Sequence, residues 1–90
     1  MSDPHEIPIG AGRDIDALDG HLSYLGRASE TEWFAARYVG GALAKLATIE
    51  ETTSPELAWV VRPVSPLYDV DEYDSWAEAR RAAFRLHLPY

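Results

Sequence analysis

The nine residues from Tyr68 to Trp76 hold four carboxylates, Asp69, Asp71, Glu72 and Asp74, and three aromatic rings, Tyr68, Tyr73 and Trp76. Carboxylates so spaced suggest a calcium loop first. Asp69, Asp71 and Tyr73 fall at the first, third and fifth positions of an EF-hand register, but Asp74 takes the sixth, where the sharp turn needs glycine. Arg80 takes the twelfth, where a bidentate glutamate closes the cage. Calcium is therefore not expected. Two readings remain: a solvated acidic lead-in to a helix, with its rings packed inward, or an acidic, aromatic contact surface for a basic protein. Tyr and Trp suit the second, because they bury large areas while keeping a polar tip. The predicted partner-binding set is Tyr68, Asp69, Asp71, Glu72, Tyr73 and Asp74, with Trp33 and Trp59 as further anchors.

No other constellation supports chemistry of its own. His5, His21 and His87 stand in three separate segments, without a second ligand one helical turn away, so no metal is expected. Asp14, Asp16 and Asp19 would spread around a helix, the first two suiting its N-terminus. The run from Gly10 to Asp14 resembles a phosphate-cradling turn only superficially, since it lacks the Lys and Ser or Thr of a P-loop and puts acids where phosphate would bind. No serine sits in a nucleophile elbow. The expectation is a protein without enzymatic activity or cofactor.

Charge narrows the partners. Fifteen acidic and eight basic residues give a formal charge of −7 over 90 residues. That field disfavours nucleic acid and anionic lipid, and Arg80, Arg81 and Arg85 are too few to make a three-helix DNA-binding regulator. There is no cysteine, and no apolar run long enough to span a membrane or serve as a signal peptide, so a cytoplasmic location is expected. A chain this short buries only about 60–65% of its unfolded surface, so a partner or a second copy would add useful stability.

The elements that must position these groups read as helices. Ser29 and Glu32 match a capping box, and Ala35, Val39, Ala42, Leu46 and Ile49 follow at steps of four and three, predicting a long helix over 30–50. Ile15, Leu18, Leu22 and Leu25 recur at similar steps and predict a shorter helix over 14–25, antiparallel to the first. Gly40 and Gly41 would cost the long helix roughly 2 kcal/mol of propensity. With Ala36 and Ala44, Gly40 forms a small-residue strip suited to close helix approach or self-association.

After the stop at residues 52–55, residues 57–62 read as a strand, which Pro63 confines to a sheet edge or truncates. Ser75 and Glu78 repeat the capping box and predict a helix over 76–87. The expected architecture is mainly α: an extended arm over 1–13, then a single domain of three helices over 14–90 with one edge-type strand between helices two and three. The expected function is an acidic interaction module that binds a basic protein, as an inhibitor, antitoxin, immunity or host-takeover protein does. The alternative is a self-assembling subunit of a larger complex, using the Ala36, Gly40, Ala44 strip and the strand edge at 57–61.

Overall fold

The computed structural model describes residues 4–16, 22–53, 56 and 58–86. Six strands, β1 (Gly12–Asp16), β2 (Leu22–Arg27), β3 (Glu32–Val39), β4 (Ala42–Glu51), β5 (Trp59–Pro63) and β6 (Asp71–Tyr73), are followed by one helix, α1 (Trp76–Phe84). The strands form one antiparallel sheet in chain order, each paired with the next. The mainly α expectation is thus overturned. So are the extended arm, because Pro4–Glu6 make a 3-10 turn, and the edge-type strand, because β5 is paired on both sides.

The reasons lie in particular residues. Gly40 and Gly41 have φ of +58° and +84°, which a right-handed helix excludes and a two-residue hairpin loop requires. The predicted long helix is therefore the β3–β4 hairpin. The three-residue step of that spacing from Leu46 to Ile49 is produced by a bulge: Ala35 pairs with Ala47 but Ala36 with Lys45, so Leu46 is an extra residue on β4. Leu46 and Ala47 are both buried as a result. A strand with one inserted residue loses its two-residue alternation and imitates steps of three and four. The predicted first helix is occupied by β1 and β2, and its middle, 17–21, falls outside the described residues.

The C-terminal helix starts where its cap is read. The Glu78 N–H donates to Ser75 Oγ at 3.2 Å, with Ser75 in an extended conformation. Packing of α1 against β3, β4, β5 and β6 buries Ala79, Ala83 and Phe84 on Trp33, Ala35, Ile49, Trp59 and Val61. Trp33 is wholly buried, with the Trp59 and Trp76 rings 5.5 and 5.7 Å away. Its indole N–H donates to Pro4 O at 3.0 Å, which seats the N-terminal turn on the core. Arg27 lies over the Trp33 ring at 4.9 Å and donates to the carbonyls of His5, Ile7, Ser29 and Glu30, tying that turn to the β2–β3 connection.

Candidate protein-interaction surface

Among the described residues one helix covers one face of the sheet and none covers the other. Strand alternation and the pairing register place Trp33, Ala35, Ile49, Trp59 and Val61 on the helix side, and Tyr24, Phe34, Ala36, Tyr38, Val60 and Glu72 on the other. That second face carries three aromatic rings, each half-buried. Phe34 leans from β3 over Gly26 on β2, and Tyr24 leans from β2 over Gly12 on β1. A Cβ on either glycine would overlap the ring above it. The two rings are 5.9 Å apart and tilted by 38°. The glycines thus let aromatic side chains lie down on the sheet, overlapping like shingles toward the β1 edge.

Tyr38 reaches the same edge, its hydroxyl donating to Asp14 Oδ1 at 2.6 Å. This hydrogen bond, then partial burial and the negative charge of Asp14, raise the Tyr38 pKa above the ordinary tyrosine value. Glu32, Glu50 and Glu72 share the face with Asp14, since Glu32 pairs with Glu50, Glu50 with Val60 and Val60 with Glu72. Lys45 and Arg62 are its cations, and Arg62 already lies 3.7 Å from Glu50. Rings in an excess of carboxylates suit a cationic side chain, which gains from both the ring face and the opposite charge.

The sheet has two edges, and backbone pairing separates them. The Arg27 N–H donates to Ala11 O at 2.8 Å, so alternation turns the peptide groups of Arg13 and Ile15 toward β2 and those of Gly12 and Asp14 outward. Gly10, at φ +86°, also donates to Arg27 O, so two residues oppose Arg27 and the strand enters through a glycine-led bulge. On the far side, Thr52 donates to Ala58 O and Val64 to Leu46 O, so the even-numbered residues of β5 face β4 and the odd-numbered ones face β6. Pro63 therefore turns its missing donor toward β6, and that ladder ends at the Val61–Asp71 pair. Only Glu72 of the three-residue β6 then points its peptide groups outward. Short, acidic edge strands such as this resist pairing with further chains.

The predicted binding residues from 68 to 74 lie together on the β5–β6 connection and on β6. Tyr68, Asp69, Asp71, Glu72 and Asp74 are exposed, and Tyr73 is half-buried. Serine shapes the connection: Leu67 N–H donates to Ser65 Oγ and Tyr68 N–H to Ser65 O. Leu67 is 83% exposed at its tip. Burial, then the charges of Asp71 and Glu78, raise the Tyr73 pKa. Tyr73 lines a cleft of about 300 Å³ with Glu78, Arg81, Ala82 and Arg85.

Trp33 and Trp59 do not join this segment, because both are buried under α1. Ala36, Gly40 and Ala44 form no strip: Ala36 is buried on the helix-free face, Gly40 is in the hairpin loop and Ala44 faces the helix side. Tyr24, Tyr38, Phe34 and Asp14 were not anticipated as a site. The signal for them is the two-residue alternation of Tyr24 and Gly26 on one strand and of Phe34, Ala36 and Tyr38 on the next. Among the described residues no group of three or more His, Asp or Glu is placed to hold a metal. Comparisons with protein-family models, curated proteins and solved structures find no match.

Proposed function

We propose that the protein is a non-enzymatic interaction module that binds a basic protein through the helix-free face of its sheet. The observation that carries the reading is the layer formed by Tyr24 over Gly12 and Phe34 over Gly26, with Tyr38 bonded to Asp14, on the face that also carries Glu32, Glu50 and Glu72. The uncovered parts of these half-buried rings supply contact area, and the carboxylates of the same face steer a partner of opposite charge. The formal charge of −7 acts in the same direction at longer range.

The test is affinity capture from the native host with the wild-type protein, a Glu32→Lys/Glu72→Lys variant of the face and a Glu78→Lys control on the helix. A basic protein retained by the wild type and the control, but weakened at least about tenfold by the face variant and by added salt, supports the reading. Equal retention by all three, or retention of acidic proteins alone, overturns it.

A second reading, a self-assembling subunit, is favoured by a different observation. Leu22, Val39, Leu43, Val64, Leu67, Tyr68 and Val70, seven of the eight large apolar side chains exposed among the described residues, lie at one end of the sheet. Light scattering separates the two. A micromolar oligomer dissolved by Leu67→Asp supports assembly, and a monomer supports the module.

A further inference from the structure

We propose that an extended segment of the partner adds to the outer edge of β1, unpaired among the described residues, with basic side chains at alternate positions lying over Tyr24 and beside Asp14. This rests on the proposed function and deepens it, because it fixes how the basic partner is held. Gly12 and Asp14 direct their peptide N–H and C=O groups outward, two residues apart, as an antiparallel neighbour requires. Their side-chain positions face the helix-free side, together with Tyr24.

Gly12 presents no side chain there. A residue opposite it meets the hydroxyl end of the Tyr24 side chain, and a guanidinium at that place can reach back over the ring for a cation–π contact. A second cation two residues along the added strand meets the Asp14 carboxylate, which Tyr38 already holds in place through one oxygen. The intervening residue falls on the other side, next to exposed Arg13 and partly buried Ile15, where a cation is repelled and an apolar side chain fits. The chemistry recognised is therefore basic, apolar, basic along one strand.

Charge also decides against a second copy as the occupant. Pairing β1 with β1 of another molecule would bring the Asp14 edges of two acidic chains together, and like charges across a strand pair destabilise it. β6 is the weaker edge, since only Glu72 offers outward groups.

The experiment titrates the protein with the acetylated, amidated peptide Thr-Arg-Val-Arg-Thr at millimolar concentration and follows backbone amides by NMR. One control has its arginines adjacent, Thr-Val-Arg-Arg-Thr. Two others are N-methylated, either on both arginines or on both threonines. The expected result is saturable binding that slows amide exchange at Gly12 and Asp14 by about tenfold, as new backbone hydrogen bonds protect them. Binding is lost on methylating the arginines, whose N–H groups face β1, and kept on methylating the threonines. The adjacent-arginine peptide binds several-fold more weakly.

Binding that ignores the position of methylation and leaves Gly12 and Asp14 unprotected, while shifting Tyr24, Phe34 and Tyr38, overturns strand addition and leaves the basic-partner reading standing. Absence of any shift at millimolar peptide overturns both.

Discussion

Phe34 and Gly26 should behave as one unit, and a double-mutant cycle measures this. A Cβ at position 26 would fall inside the contact distance of three ring carbons of Phe34, the farthest of them 3.0 Å away, and the ring supplies the nearest neighbours. Gly26→Ala alone forces the ring off its seat, an overpacking cost of about 1–3 kcal/mol, offset by roughly 0.5–1 kcal/mol of recovered backbone entropy. The net loss of about 1–2 kcal/mol lowers Tm by about 5–15 °C in a domain of this size. In a Phe34→Ala background the obstruction is gone, and the same substitution should be neutral or stabilising by up to about 1 kcal/mol. The coupling is then about 2 kcal/mol, well above the roughly 0.5 kcal/mol within which independent sites add.

Gly12 provides the internal contrast. There a Cβ also meets the Leu25 carbonyl at 2.6 Å, so removing the Tyr24 ring should not rescue Gly12→Ala. Urea unfolding of the four proteins in each cycle gives the result. Additive effects at Gly26 and Phe34 would refute the picture of rings laid on glycines, and the surface argued from it.

Gly41→Ala should destabilise by about 1 kcal/mol or more, because φ of +84° is strained for any residue with a Cβ even where space is open; a helix would instead gain from the same change, so the sign of the shift in urea midpoint tests the hairpin. The Tyr38 hydroxyl gives a pH signature: its pKa is raised in the folded protein, so its contribution is fully present below the ordinary value of 10.0 and is lost as pH rises through the folded value. Asp14→Asn should bring that titration down toward the ordinary value, as followed by tyrosinate absorbance; an unmoved titration would show that the Asp14 contact does not set it.

How much of this was legible depends on which local rule each segment obeys. The helix start at Ser75 could be read because a cap is a local device, complete within four residues, and tertiary packing does not reverse it. The hairpin at Gly40 and Gly41 carried an equally local signal, a glycine pair between two apolar runs, but the apparent helical period on either side outweighed it. On the β4 side that period came from the extra residue at Leu46, and a bulge depends on cross-strand pairing that no window of the sequence contains. Pro63 reads in the sequence as confining its strand to a sheet edge or truncating it, and the structure corrects the first: β5 is paired on both sides. The missing donor shortens the pairing with β6, while β4 pairs with the other side of the same strand.

The acidic segment shows what pleating does to a surface read as contiguous. Residues 68–74 look like one cluster along the chain, but Asp71 and Tyr73 share the face that carries α1, whereas Glu72 shares the face that carries the rings. Sequence neighbours are thus divided between two sides. Asp14, Glu32, Glu50 and Glu72, taken from four strands and separated by up to 58 positions, share one side instead. In a helix the charge that recognises a partner recurs every three or four residues. In this sheet it is gathered across strands at alternate positions, so a partner strand that matched it would have to be written in the same two-residue period.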